Sequence, residues 1–457
     1  VRDLSLSLDC PFNTMKRLFL SIVLFDLFRS PPCIGGYYVN LNSLPATDSL
    51  SKALRQQVLP HVDSTNENAT NKSRAAKSHT LSQQMGELSK EWKNEDDKIT
   101  LIRDVLNGLT HKQLVQIPCS YRTRGLYGDT LTCSGVIVMP RKKPIKHIIL
   151  VSHYTLSANH EMPSQTFPLE GLLANKGYAI VVPDYIGFGA STRKPHPYLH
   201  PNSTARCVVD MALAAKKYLK DINHAPLNDS IILMGYSQGG SATLAVQQLI
   251  EKRYKKELPI LINYVGAGPY DITATYDHAI ATNYTGIAPA IPMIVQGMNV
   301  SYNLHLDLSK LFKDTLLQQY DEWINSKKYS IMELRHIMGI GQIDRFLTPQ
   351  AMDKNNPITA RLYQAMKKSS MTENIQSLPK APIYLFHSYQ DDVVPFVNAE
   401  ELAHLFESID MHILHQKNDL YKVMHNQDAS YCYYDFGKYG NHRVAFSRFL
   451  NKIYGML

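Results

Sequence analysis

A chain of 457 residues with 44% hydrophobic content is long enough to bury a large core and is neither disordered nor fibrous. Its 48 Lys and Arg against 40 Asp and Glu leave a net charge of +8, but the basic residues are scattered, with no aromatic-plus-basic stripe, which argues against a nucleic-acid partner. Six cysteines over this length are too few for a disulfide scaffold and lack the paired spacing of a metal site.

Met15-Lys16-Arg17, followed by the apolar run Leu18 to Phe25, has the charged and apolar parts of an export signal, with small residues at Gly35-Gly36 for cleavage. Residues 1–36 are therefore expected to be a targeting segment and the protein to be secreted or held in the periplasm or cell envelope. Asp26 interrupts the run, and a buried amphipathic helix is the alternative reading. Cys33 lacks the small neighbours of a lipid-attachment site. Residues 37–80 are polar and expected to be a flexible segment. Asn68, Asn71, Asn202, Asn228, Asn283 and Asn299 each begin Asn-x-Ser/Thr, an acceptor pattern for glycosylation in a eukaryotic source.

After a helical segment over about 81–114, two β-rich runs, Val115 to Arg124 and Thr130 to Met139, predict an antiparallel hairpin at a sheet edge. Cys119 and Cys133 flank its turn and read either as a pair facing across the hairpin or as two buried thiols. From residue 145 the pattern becomes short apolar runs separated by helix-sized segments: Ile145 to Tyr154, Tyr178 to Asp184, Ser230 to Tyr236, Ile260 to Val265, Ile383 to His387 and Met411 to Leu414. Strands apolar on both faces and spaced by helices predict an α/β fold, with a mostly parallel central sheet covered by helices on both sides. Ligand chemistry in such sheets collects at the carboxyl ends of the strands. The long, mostly helical stretch before Ile383 exceeds an ordinary strand connection. The expected organisation is a core over 81–265, a helical cap over 266–380 and the rest of the core over 381–457. The apolar segment Tyr284 to Met298 reads either as a surface for an acyl chain or as the cap's own core.

The run Ser230 to Tyr236 ends in Gly235-Tyr236-Ser237-Gln238-Gly239 and leads into a helical pattern. A strand that turns at once into a helix forces its apex residue into a strained backbone, and the flanking glycines supply the room. Such a turn lifts the Ser237 hydroxyl above the sheet edge and aims the Gln238 N–H at whatever the hydroxyl attacks. A second donor would come from the loop after the first run, where Thr155 is the candidate. His153 in that loop reads as a packed strand-end histidine rather than a base. Asp184 and the glycines after it read as a fixed turn.

A serine nucleophile needs a base and a carboxylate to orient that base. Asp391 follows the run ending at His387, with Asp392 as the alternative. His442 lies between Gly440 and a helical segment from Arg443 to Tyr454, at the end of a Tyr/Asn/Asp-rich loop; His415 and His425 compete with it. The order Ser237, Asp391, His442 is that of the α/β-hydrolases.

On these residues the chain resembles the α/β-hydrolase superfamily and, within it, the secretory lipase family of fungal lipase A type and its bacterial relatives. The likeness runs from about Tyr121 to Tyr454. It rests on Ser134-Gly135-Val136 with Pro140, His153-Tyr154-Thr155, Pro183-Asp184-Tyr185-Ile186-Gly187-Phe188-Gly189, His196-Pro197-Tyr198, Gly235-Tyr236-Ser237-Gln238-Gly239-Gly240, and the contexts of Asp391 and His442. Tyr154 departs from the pattern, standing where relatives often carry glycine. The resemblance implies a secreted esterase or lipase that needs no cofactor and no metal. Its substrate would be a small-molecule or lipid ester, met in part through transient contact of the cap with a lipid surface. A serine peptidase on the same fold and a non-catalytic binding protein are the alternatives.

Overall fold

The computed structural model describes residues 113–457 apart from 223–226, 340, 376 and 425–428. The expected targeting segment, the polar segment with Asn68 and Asn71, the helical run before residue 113 and His425 lie outside the described residues.

Nine strands form one sheet: β1 (Leu114–Arg124), β2 (Thr130–Pro140), β3 (Ile148–Ser152), β4 (Ala179–Pro183), β5 (Ile231–Tyr236), β6 (Ile260–Gly266), β7 (Ile383–Ser388), β8 (His412–Leu414) and β9 (Tyr431–Gly437), in the order β1-β2-β4-β3-β5-β6-β7-β9-β8. β1 and β2 are an antiparallel hairpin at one edge, β2 meets β4 antiparallel, and the remaining pairs are parallel. Helices α1 (Pro201–Ile222), α2 (Gln238–Arg253), α3 (Ile272–Thr282), α4 (Ala290–Tyr302), α5 (Ile331–Met338), α6 (Pro357–Ser369), α7 (Val397–Ser408), α8 (Lys417–Val423) and α9 (His442–Met456) connect or follow them. Among the described residues no helix is long and apolar enough to cross a membrane.

The central strands are apolar throughout because both faces are covered. Ile148, Leu150, Ala179, Val181, Ile231, Leu233, Ile383 and Leu385 point to one face and pack against Val208 and Met211 of α1, Leu244 of α2 and Phe406 of α7. The alternate residues point the other way, as the two-residue period of a strand requires. There Phe386 meets Phe449 of α9 with ring centroids 5.5 Å apart, and Tyr236 meets both Phe446 and Phe449.

All six apolar runs are strands. β9 is the strand that the sequence pattern hides, since Tyr431 to Gly437 was expected to be loop. Cys432 and Asp435 are its buried residues and the others are half-exposed, so it lacks the continuous apolar signature of its neighbours. The hairpin register decides between the two cysteine readings in favour of separate thiols. Cys119 lies opposite Gly135 and Cys133 opposite Tyr121, and both thiols are free.

The turn after β4 is fixed by buried polar contacts. Asp184 accepts from the Ser134 hydroxyl at 2.6 Å and the Ser164 amide at 2.9 Å. Gly189 has a positive φ of 52°, and a Cβ there would lie 2.1 Å from the Ser134 hydroxyl oxygen.

Between β6 and β7 the chain carries α3 to α6, shorter helical turns and a two-stranded ribbon pairing Tyr284–Thr285 with Gly341–Gln342. Its apolar residues, including Ala288, Met293, Val295 and Met298, build a second core with Phe312, Leu334 and Leu362. Lys327 ties this insertion to the sheet: its ammonium donates to the carbonyls of Gly187, Thr192 and Lys194 at 2.5, 2.6 and 2.7 Å. Burial lowers the Lys327 pKa to about 8. The Asn159 amide donates to the Lys327 carbonyl, and the Ser157 hydroxyl to that of Tyr329.

Glu170, between β3 and β4, is buried with Oε2 unpartnered, and burial raises its carboxyl to about 7 against a backbone amide contact that lowers it. The unfolded chain ionises this group near the ordinary glutamate value of about 4.3. Between these two values the folded state holds the extra proton, so stability falls as pH rises through the window and the loss is complete above the folded pKa. Glu170→Gln should therefore gain melting temperature over the parent as pH is raised from 5 to 8, with the two nearly equal at pH 4; a constant difference across thermal melts at these pH values would contradict the assignment.

Candidate functional site

The site is built where β5 ends. Ser237 has φ 57° and ψ −126°, a region that costs a non-glycine residue on the order of 1–3 kcal/mol. The turn holds it there because neither flank has space to relax. A Cβ on Gly235 would lie 2.0 Å from the Gly239 carbonyl oxygen, and one on Gly239 would lie 1.9 Å from that of Ser152 and 2.9 Å from that of His153. The Ser237 amide donates to the Gly266 carbonyl at 2.9 Å, and the Gly240 amide to the Ser237 carbonyl at 2.8 Å. Gln238 is the first residue of α2, where backbone N–H groups have no acceptor within the helix.

The loops after β7 and β9 bring Asp391 and His442 together, with Nδ1 of His442 2.7 Å from Oδ2 of Asp391. The other carboxylate oxygen accepts from the amides of Val393 and Val394 at 3.0 and 2.8 Å. Burial pushes the Asp391 pKa up, but the His442 and His387 rings and the Val394 amide outweigh it and hold the carboxyl below its ordinary value. The carboxylate therefore stays ionised and fixes a proton on Nδ1 of His442, leaving Nε2 as the basic nitrogen. Ser388 clamps the two loops: its hydroxyl donates to the Gly440 carbonyl at 2.6 Å and accepts from the Tyr439 amide at 3.1 Å.

His442 opens α9, capped by Asn441, whose side chain accepts from the Val444 amide. It is tied to the serine turn through Tyr236, whose hydroxyl donates to the His442 carbonyl at 2.7 Å and whose ring lies 5.1 Å from the imidazole. Ser237 is 8% and His442 7% exposed. Asp392 accepts from the backbone amide of His442, not from its ring, and His415 is exposed beyond β8.

His153 is buried with its ring 3.8 Å from that of Tyr185, its Nδ1 lies 2.6 Å from the Tyr154 carbonyl, and burial lowers its pKa to about 4. It is a packed neutral histidine. Tyr154 turns its ring against Phe446 of α9 at 5.3 Å, so the residue that replaces the usual glycine packs into the core. Thr155 is buried, its hydroxyl 2.7 Å from that of Tyr198.

Two residues beside the site carry no signal in the spacing of polar residues. His387, at the end of β7, is buried with Nε2 3.6 Å from Asp391 and 3.0 Å from the Val394 carbonyl. Burial lowers its pKa, against the pull of Asp391, so it stands neutral behind the carboxylate. His196 has Nδ1 2.7 Å from the Ile186 carbonyl and Nε2 3.4 Å from the Gln238 side-chain nitrogen. Burial lowers it to about 3. His196-Pro197-Tyr198 thus touches the side chains of both residues expected to supply oxyanion donors.

Between the insertion and the loops after β3 and β4 lies a cavity of about 10 Å³, lined by Phe188, His196, Met293, Trp323, Ile324 and Lys327 among others. That is room for about one water. Among the described residues no cluster of three or more His, Cys, Asp or Glu could hold a metal ion.

Comparison with known proteins fits this arrangement. Among solved structures, the rice cell wall degrading esterase LipA from Xanthomonas oryzae superposes with a TM-score of 0.62 at 24% identity, covering 76% of this chain and 90% of that one. Candida Antarctica lipase A superposes with a TM-score of 0.53 at 16% identity, covering 74% and 75%. These likenesses show the α/β-hydrolase fold. Among curated proteins, the secreted triacylglycerol lipase LIP3 of Malassezia restricta is 26% identical over 247 residues, 50% of this chain and 46% of the relative. Lipase A of Moesziomyces aphidis is 22% identical over 229 residues, with 50% and 46% covered. The chain spans about half the length of the curated relatives it matches. The family model for secretory lipase matches residues 157–428, more than half of the chain, and the chain belongs to the secretory lipase family.

Proposed function

We propose that the protein is a secreted serine hydrolase that cleaves carboxylic esters, lipid esters among them, through an acyl-enzyme. The observation that carries this reading is the 2.7 Å contact of a buried, ionised Asp391 with His442, beside a serine held in a strained turn. Ser237 Oγ attacks the ester carbonyl while Nε2 of His442 takes its proton, and the imidazolium is stabilised by Asp391. The N–H groups of Gln238 and Thr155 receive the oxyanion. His442 then returns the proton to the leaving alcohol, and water repeats the steps to release the acid. The relatives named above are lipases and an esterase, which does not favour the peptidase alternative.

Residues 266–380 act in this proposal as a cap. Ser237 and His442 are nearly buried, so in this proposal an acyl chain enters when the cap shifts, and the half-buried Ile287, Ile291 and Ile294 form the side that meets a lipid surface.

Ser237→Ala should lower p-nitrophenyl ester turnover by on the order of 10⁶-fold while the protein stays folded, and retained turnover would remove Ser237 from the mechanism. The two neighbouring aspartates separate cleanly. Asp391→Asn should cost about 10³ to 10⁴-fold in kcat, because it unsettles the imidazole tautomer. Asp392→Asn alters a contact to the His442 backbone amide and should change kcat by less than about 10-fold, consistent with the modest worth of one hydrogen bond. Steady-state kinetics giving the reverse order would assign the orienting carboxylate to Asp392.

A further inference from the structure

The side chain of Thr155 has a role beyond its backbone. Its Oγ1 lies 2.7 Å from the Tyr198 hydroxyl, and both residues are buried. Either group can donate in principle, and intrinsic chemistry decides between them. A phenol is the stronger donor and the poorer acceptor, since its lone pair is delocalised into the ring. Among the described residues, Thr155 Oγ1 is the hydrogen-bond partner of the phenol. On this ground Tyr198 is assigned as the donor, which leaves the Thr155 proton for another acceptor. A hydroxyl that accepts a hydrogen bond also becomes a better donor.

The loop that carries Thr155 leaves β3 beside the serine turn, since Ser152 pairs with Gly235 of β5. Thr155 follows Ser152 and His153, whose carbonyls press on Gly239 so closely that a Cβ there would collide with both. On the opposite side Tyr198 is immobilised. Its backbone is covered by α4, where a Cβ on Gly297 would lie 2.3 Å from the Tyr198 carbonyl oxygen, and its ring belongs to the apolar core of the insertion. The neighbouring His196 holds the Gln238 side chain at 3.4 Å.

We propose that the Thr155 hydroxyl is an additional donor to the oxyanion, and that Tyr198 is the positioning residue that aims it. This rests on the serine-esterase reading above. The oxyanion receives a hydrogen bond from the Thr155 hydroxyl while Tyr198 donates to Thr155 Oγ1, and no proton changes owner. The contribution appears when the carbonyl becomes tetrahedral, so it acts on kcat and on the binding of tetrahedral analogues, not on substrate binding.

The test is a double-mutant cycle of Tyr198→Phe and Thr155→Val with a p-nitrophenyl ester, with affinity for an alkyl boronic acid as a second readout. Removing one oxyanion donor costs about 10² to 10³-fold in a well-studied case. Thr155→Val should lower kcat by at least about 10-fold with KM little changed, and weaken the boronic acid in parallel. Thr155→Ser should recover most of that loss. Tyr198→Phe should lower kcat in the parent but add nothing in the Thr155→Val background. A parent-like kcat in Thr155→Val would overturn the hydroxyl's role, and a Tyr198→Phe loss that multiplies the Thr155→Val loss would make Tyr198 merely structural. The final extent of fluorophosphonate labelling counts folded sites in every variant. If the parent neither labels nor turns over ester, the serine-esterase reading fails; if it does both and the cycle is flat, the Thr155 and Tyr198 proposal fails alone.

Discussion

The rest of the site depends on one steric constraint, the absence of space around the turn from β5 to α2. Ser237 occupies a backbone region that its own side chain disfavours, and nothing in the residue itself would keep it there. The carbonyls of Ser152, His153 and Gly239 do so by closing every path a larger residue at 235 or 239 would need. The stabilisation that holds the strain comes from the buried parallel sheet beneath, whose strands β3, β5 and β6 place those carbonyls. Packing far from the hydroxyl is thus converted into the position of the hydroxyl.

A second constraint is electrostatic. The Asp391 side chain is buried, and desolvation alone would raise its pKa. Two backbone amides and the facing His442 ring keep it charged, and the buried His387 stands neutral behind it. The same residues that make the carboxylate tolerable also fix which of its oxygens meets His442. The adjacent Asp392 is spent on the backbone amide at the start of α9, so two neighbouring carboxylates take separate tasks.

The fold was legible where burial is two-sided. β3 to β7 are continuous apolar runs, and such runs cannot belong to a half-exposed strand. β9 escaped because it lies near the sheet edge, with Tyr431, Tyr433, Tyr434 and Phe436 half-exposed, so its composition matches that of an aromatic loop. The proposed nucleophile and carboxylate were visible because each follows an apolar run and stands beside a glycine or proline turn, and the proposed base because it lies between Gly440 and a helical segment. The roles of His196 and Tyr198 were not, because they arise from contacts over long sequence separations, and His387 reads from its strand only as a buried residue. No local spacing encodes the 2.7 Å approach of Tyr198 to Thr155 or the 3.4 Å approach of His196 to Gln238. The apolar segment Tyr284 to Met298 was ambiguous for a related reason: Met293, Val295 and Met298 fill the insertion's own core, and the half-buried Ile291 and Ile294 of the same helix pack against its margin.

These contacts limit how the proposed cap can open. Gly297 of α4 lies against the Tyr198 backbone, and Tyr198 reaches Thr155, so lifting α4 as a rigid body would strip support from the loop proposed to receive the oxyanion. Lys327 is a second fixed point, because withdrawing its ammonium would abandon three carbonyl acceptors in a buried setting. Both anchors lie on the side of the insertion that faces the loops after β3 and β4. The ribbon of Tyr284–Thr285 with Gly341–Gln342 is tied down as well, because the adjacent Gly286 amide donates to the Asp392 carbonyl at 2.9 Å, so opening that preserves all these contacts must displace other parts of the insertion. In the proposed function, the mobile and fixed parts of the cap are then set by the same requirement, that an acyl chain gain entry while Thr155 and Gln238 keep their places as the proposed oxyanion donors.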